Sequence, residues 1–596
     1  MIHKFHIPVL GLGYSIDTPL KVARYGISSV VSIVDDELCE RMREYHSIQN
    51  GLTFKAISKS APDRRARRIT AYLDLLHQLV DEQFEQLKKE EFTGESDLDR
   101  YFQLLPPDSQ LRHGYELMQE FEDAGSKKIF QDILRSKMQK GDIDGNIMSK
   151  VDKMNYTATG EYTGDTNTDA LAALRGFAES TLESSVVLSA GMNPKLYSYL
   201  ENFPDFFPDA DGKLKKKIIL KVSDFRSAFI QAKFLAKKGL WVSEFRVESG
   251  LNCGGHAFAT DGLLLGPILE EFKQNRGDMR TELWEMYSAA LTTKGIDAKH
   301  IPQQKLSAQG GIGTSSENDF LLKYYCLDAT GWGSPFLLVP EATNVDEDTL
   351  HKLSEAEKDD FYVSAASPLG VLFNNFRHST IEEQRVKRVI EGRPGSPCTK
   401  KLLCNNTEFT EQPICTASRQ YQNLKITELK DKCLPEAEYR EQYKAITEKI
   451  CLCEGLCAST YIKNDMLKRK ESKAVAICPG PNLAYFNRIY KLDEMVKHIY
   501  GACNLLAEVN RPNLFVNELN IYIDYFRKEV TGYLQEMSNK KGKQLAKFKE
   551  ELLKGINYYK NLLPALKDSV KTAGEEMQKQ LLLAELHVAA VGQVIS

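Results

Sequence analysis

Residues 308–320 read AQGGIGTSSENDF, and LDATGWGSPFLLVPEA follows at 327–342. In the first stretch Gly310, Gly311 and Gly313 come directly after QKLSAQ (304–309), a run with the length and make-up of a strand. Glycine lets backbone approach a ligand closely. Ser316 and Asp319 fit an S-x-x-D capping box that opens the next helix. A fresh helix start presents unpaired N–H groups and a positive dipole end, so the bend is a candidate phosphate cradle. One Gly-rich bend of this kind is common. Two in succession, each with a hydroxyl nearby (Thr314, then Ser334), match the anion site built by the loops after the last two strands of a (β/α)8 barrel. The barrel's final strands are therefore expected near residues 304–330.

Working outward, the segments SSVVLSA (184–190), KKIILKV (216–222) and LWVSEFRVE (240–248) are short apolar or β-branched runs, mostly separated by helical patterns such as DFRSAFIQAKFLAKKG. Such β-α alternation implies a parallel sheet with helices outside it. Periodicity leaves a closed barrel and a doubly wound sheet both open, and the paired glycine turns favour the barrel. HIPVLGL and SSVVSIV, joined by a helix that starts near Thr18-Pro19, read as an opening β-α-β unit. From 36 to 180 the pattern turns to long helical periodicity, as in ITAYLDLLHQLVDEQFEQLKKEEF, which predicts a helical insertion. GDIDGN (141–146) looks calcium-like, but its glycine falls too early for an EF-hand loop. The resulting division is 1–35 for the first βαβ unit, 36–180 for the insertion and 181–380 for the rest of the barrel. A Cys-rich region (381–485) and a helical region (486–596) follow.

With 596 residues, 42% hydrophobic and 27% charged, the chain has ample material for packed cores. A net charge of −4 provides no basic field for nucleic acid. No run of about 18 apolar residues is present, so no membrane span is expected, and a short N-terminal apolar stretch without a small-residue cleavage site points to a cytoplasmic protein.

The sequence resembles the nitronate monooxygenase (2-nitropropane dioxygenase-like) family at three matched places: ESGLNCGGH (248–256), the 310–314 turn, and Asp328, Gly333, Ser334, Phe336, Leu337, Glu341 and Ala342 in register. IPVLGLGYSIDTPLKVARYGISSVVS and SPLGVLFNNF (367–376) add weaker matches, so the resemblance covers 5–35 and roughly 184–378. It implies an FMN-binding TIM barrel, with the phosphate on Gly310, Gly311, Gly333 and Ser334 and with Gly313, Gly254 and Gly255 completing the rim. Gly11 and Gly13 would border the flavin ring or form an ordinary tight turn. It also implies that His256 is the base removing the proton α to a nitro group, a task suited to an imidazole of near-neutral pKa. Pro335, where the family more usually has Arg, and the replaced opening Pro-Met turn leave the substrate open. The same barrel and GGH turn occur in flavin-dependent enoyl-thioester reductases, which draw on NAD(P)H. Nitronate-type enzymes instead turn over a small acidic carbon substrate with oxygen, and a non-catalytic scaffold is a third reading.

Glu248 and Asn252 share the His256 turn and either fix the loop or meet substrate. Cys253 is either a site thiol or a small buried side chain. Eight of the twelve cysteines fall within 391–480. Cys451, Cys453 and Cys457 form a C-x-C-x3-C run, and Cys478 precedes Pro-Gly-Pro, a set that could bind an iron–sulfur cluster or zinc. Reduced, partly buried thiols are the alternative. Cys398, Cys404, Cys415 and Cys433 stand as a second set.

Overall fold

The computed structural model describes residues 2–593 except 158, 190, 537 and 570–573. Among these the strands are β1 (Phe5–Ile7), β2 (Ser28–Ser32), β3 (Ile143–Met148), β4 (Ser185–Ser189), β5 (Lys217–Val222), β6 (Val242–Glu248), β7 (His256–Ala257), β8 (Lys305–Gln309), β9 (Ala329–Gly331), β10 (Phe361–Ser364) and β11 (Leu372–Phe376). Strands β1-β2-β3-β4-β5-β6-β8-β9 form a closed, all-parallel barrel, sealed where Phe5 pairs with Thr330 and His6 with Gly331. Closure leaves no exposed strand edge. The (β/α)8 expectation holds, with helices between successive strands.

The segment 36–180 is not helical throughout. It contains β3, whose Asp144 and Asn146 pair with Val30 and Ser32 on one side while Asn146 pairs with Val187 on the other. The stretch that looked like a broken calcium loop is thus the third barrel strand. Its polar residues misled because Asp144 and Asn146 are buried in a partly polar barrel rather than exposed. Within that barrel Val30, Val187 and Ile219 pack together, while Arg246 Nε donates to Glu244 Oε1 at 2.9 Å and Ser307 Oγ donates to the same oxygen at 2.5 Å.

The helices inserted between β2 and β3 begin with Asp36–Gln49 and Arg64–Lys89. The second buries Ile69, Tyr72, Leu73, Leu76, Leu79, Val80, Phe84 and Leu87, the spacing of one helix face. It seats against helix Asp169–Ala178, where a Cβ on Gly176 would come within 2.8 Å of the Ala66 carbonyl.

Beyond the barrel, β10, β11 and β7 form a small antiparallel sheet. The Cys-rich region is more helical than its weak periodicity suggested, with helices Thr380–Ile390, Arg419–Asp431, Glu436–Thr447 and Leu452–Lys463. Three long helices follow, Leu514–Glu536, Asn539–Ser569 and Gly574–Gly592. They pack on the barrel flank, where Gly266 N donates to Tyr559 Oη and Leu265 N to the Glu518 carboxylate at the start of helix Leu265–Thr293. No helix among the described residues is long and apolar enough to cross a membrane.

Candidate active site

A cavity of about 670 Å³ opens at the C-terminal ends of the barrel strands, where such barrels expose their chemistry. That is ample for a drug-sized or cofactor ligand. The extension roofs it, because Leu402, Leu403, Leu452, Leu456 and Ile477 line one wall.

His256, Gly11, Gly254, Gly255, Gly310, Gly311, Gly333 and Ser334 all line this cavity. The bends that carry them touch one another. A Cβ on Gly310 would lie 2.5 Å from Cys253 Sγ, and one on Gly311 would lie 1.9 Å from Asn252 Nδ2, so at both points only glycine fits. Among the described residues the amides of Gly310, Gly311 and Gly333 donate to no protein acceptor, which leaves them for a ligand. Asn252 (both side-chain polar atoms), Gln309 Oε1 and Asn146 Oδ1 are buried, unpartnered, and belong to residues lining the cavity. Buried polar groups ordinarily find partners, so their grouping marks a place for a polar ligand.

Two predicted glycines stand elsewhere. Gly13 donates its amide to the Leu456 carbonyl, and a Cβ there would meet Thr460 Oγ1. It packs the barrel against helix Leu452–Lys463. Gly313 donates its amide to Glu317 Oε2 at 2.9 Å, so this amide is taken by the chain's own carboxylate. Glu317 is also where the capping differs from expectation. The helix is Ser315–Tyr324, capped by Thr314, whose Oγ1 accepts from Glu317 N, and not by Ser316 with Asp319.

Three groups of the extension complete the rim, and nothing local in the sequence announced them. Gly480 N donates to Ser334 Oγ at 2.7 Å, Asn482 Nδ2 to the Ile312 carbonyl at 2.9 Å, and Arg511 Nη2 to the Gly311 carbonyl at 2.6 Å. Arg511 Nη1 further donates to Glu317 Oε1.

His256 sits on β7, which pairs with β11. Its Nε2 is 2.7 Å from Ser367 Oγ, while Nδ1 has no protein partner among the described residues. Burial, reinforced by the Lys221 ammonium, lowers its pKa to about 4. The near-neutral value expected of a base is therefore corrected: the imidazole is held neutral. Lys221 Nζ pairs with Glu248 at 2.9 Å, and Gln309 Nε2 donates to the same carboxylate, so Glu248 fixes the rim. Cys253 is a buried thiol whose pKa burial pushes well up, which suits the apolar reading. Lys150 lines the mouth, its Nζ 5.4 Å from the centre of the Phe258 ring.

The proposed metal quartet is not brought together. Cys451 caps helix Leu452–Lys463, Cys453 and Cys457 are one turn apart on it (~6 Å of rise), and Cys478 lies in a separate loop whose carbonyl accepts from Gly255 N. Cys457 instead donates to Asp35 Oδ2 at 3.5 Å. Among the described residues no three His, Cys, Asp or Glu side chains already converge as metal ligands.

No known family model matches the sequence, and no curated protein matches it. Among solved structures, the enoyl reductase domain of MlnA from the macrolactin biosynthesis cluster of Bacillus amyloliquefaciens is 12% identical at a TM-score of 0.40, with 84% of this chain and 94% of that chain covered. FabK from Thermotoga maritima is 11% identical at a TM-score of 0.35, covering 84% and 93%. The fold rests on the closed strand order itself and not on these similarities.

Proposed function

We propose that the protein is an FMN-dependent oxidoreductase acting on a small acidic carbon substrate, in the manner of nitronate monooxygenases. The observation that carries this reading is one rim that joins the open amides of Gly310, Gly311 and Gly333 to the unpartnered Asn252 carboxamide and to the unpartnered oxygens Gln309 Oε1 and Asn146 Oδ1. Amides of that kind suit a phosphate, and amide side chains suit the polar edge of a flavin ring. FMN, when bound, supplies the two-electron acceptor that no side chain provides.

The chain's own groups would then divide the work. Ser367 Oγ accepts from Leu369 N and, in the Nε2-protonated tautomer, also accepts from His256, leaving Nδ1 as the nitrogen that takes the substrate proton. Lys150 places an ammonium at the cavity mouth, while the Lys221 ammonium is balanced by its ion pair with Glu248. The extension's leucines make one wall of the cavity apolar.

One observation favours a second reading. A neutral imidazole of lowered pKa is suited to donate a hydrogen bond to a carbonyl, as an enoyl-thioester reductase would require.

The test is the colour and the reductant. Purified protein should be yellow and release FMN on denaturation. Anaerobic bleaching by a nitroalkane supports the first assignment, bleaching by NAD(P)H alone the second, and colourless protein that fails to take up FMN refutes both.

A further inference from the structure

The His256 imidazole and the Ser367 hydroxyl, 2.7 Å apart, come from two separate turns. The first, Cys253 to Gly255, leads into β7, and the second runs from the end of β10 to Ser367. Two adjacent asparagines of β11, Asn374 and Asn375, hold one turn each. Both are 3% exposed, so water does not compete for their bonds.

Successive residues of a strand point to opposite faces of its sheet, so the two asparagines reach different neighbours. Asn374 Nδ2 donates to the Cys253 carbonyl at 2.7 Å and to the Gly255 carbonyl at 3.4 Å. Its backbone amide donates to the same Gly255 carbonyl at 2.9 Å. On the other face, Phe373 pairs with both His256 and Ser364, which places these side chains together with that of Asn375. Asn375 Nδ2 donates to Ser364 Oγ at 2.7 Å, and Ser364 Oγ accepts from the Ala366 amide at 3.1 Å.

The residue before each member of the pair is thereby held at both its amide and its carbonyl. Gly255 donates its amide to the Cys478 carbonyl at 2.9 Å, and its carbonyl accepts from Asn374. Ala366 donates its amide to Ser364, and its carbonyl accepts from the Ile450 amide at 3.1 Å. In each case one partner belongs to β10 or β11 and the other to the C-terminal extension. Gly255 has a φ of 80° and open space where a Cβ would stand, so hydrogen bonding and not packing sets this turn.

We propose that Asn374 and Asn375 are positioning residues for His256. Asn374 fixes the turn that carries the imidazole, and Asn375, through Ser364, fixes the turn that carries Ser367. Together they keep Nε2 on the Ser367 hydroxyl, which leaves Nδ1 as the free nitrogen. The Phe373 ring, 5.1 Å from the imidazole centre to centre, limits its rotation between them. The proposal rests on the reading of His256 as the group that meets substrate.

Asn374→Asp keeps the size of the side chain and loses its N–H donors. At pH 8 its kcat should fall about 10–100-fold, with KM and FMN content unchanged. The new carboxyl would face two carbonyl oxygens, which favour its protonated form, and that form donates to Cys253 again. kcat should therefore recover as pH falls from 8 to 6, whereas wild type is flat. Asn375→Ala should lose a similar factor at every pH. Phe361→Leu, at the far end of the same sheet, should leave kcat unchanged. A second readout needs no turnover: magnetic resonance of the full chain with isotope-labelled histidine, His256 being assigned by its loss in His256→Gln. Wild type should show one tautomer, and both asparagine variants exchange between two. A single tautomer in all three proteins overturns the positioning role, whatever becomes of the proposed activity. So does an Asn374→Asp profile without recovery, or an equal loss in Phe361→Leu. Full turnover in His256→Gln, with the tautomer still set by the asparagines, would remove the proposed base and leave the positioning intact.

Discussion

Arg511 Nη1 lies 2.7 Å from Glu317 Oε1, and both side chains are almost fully buried, at 4 and 5% exposure. Through this pair the extension grips the β8 turn. Glu317 Oε2 holds the Gly313 amide, and Arg511 holds the Gly311 carbonyl and Asn482 Oδ1.

Arg511→Met should destabilise the protein by about 3–5 kcal/mol, because it strands a buried carboxylate. Chemical denaturation measures this. The double variant with Glu317→Gln should recover much of the loss, and an additive double variant would show that the pair is not coupled.

Gly311 and Gly255 both have positive φ, 76° and 80°. An added Cβ meets Asn252 at the first and open space at the second. Gly255→Ala should cost only backbone strain, about 1–2 kcal/mol. Gly311→Ala should in addition abolish FMN retention, read by flavin fluorescence after gel filtration.

His256→Gln should lower kcat by about 10²–10⁴-fold with FMN content unchanged. Ser367→Ala loses one orienting hydrogen bond of about 1 kcal/mol, for a drop of roughly fivefold. Equal losses in the two variants would deny His256 a separate role.

With its pKa lowered to about 4, His256 is unprotonated across the neutral range. kcat/KM should therefore be flat from pH 6 to 8 and fall only as pH drops toward about 4. Lys221→Met removes a charge that lowers this pKa, so the acid limb should move to higher pH. A wild-type break near pH 6.5 would contradict the buried imidazole.

Burial raises the Glu518 carboxyl to about 7, above its ordinary 4.5. The native state thus binds this proton more tightly than the unfolded chain does. Its stabilising contribution is complete below pH 4.5 and is lost as pH rises through 7. Glu518→Gln mimics the protonated form, so it should match wild type near pH 4.5 and exceed it by up to about 3 kcal/mol above pH 8. Thermal unfolding at the two pH values decides the matter.

The glycine bends made the barrel legible, because φ and close approach restrict those positions whatever surrounds them. Strand β3 was hidden, since Asp144 and Asn146 carry a polar pattern that normally faces water. Within the site, Gly310, Gly311, Gly333 and His256 could be found from their turns, whereas Arg511, Asn482 and Gly480 could not. Their roles depend on contacts to residues more than a hundred positions away, and no local period encodes that. Gly13 and Gly313 misled for the same reason: a glycine beside a ligand and one beside a helix or a carboxylate leave the same mark in sequence.

The Gly480, Asn482 and Arg511 bonds have a consequence for biosynthesis. A nascent chain that has emerged through β9 holds every barrel strand but none of these braces. Should the rim hold FMN as proposed, its capture waits until the following segment has left the ribosome and folded back, so the apoprotein forms as a whole before it is loaded.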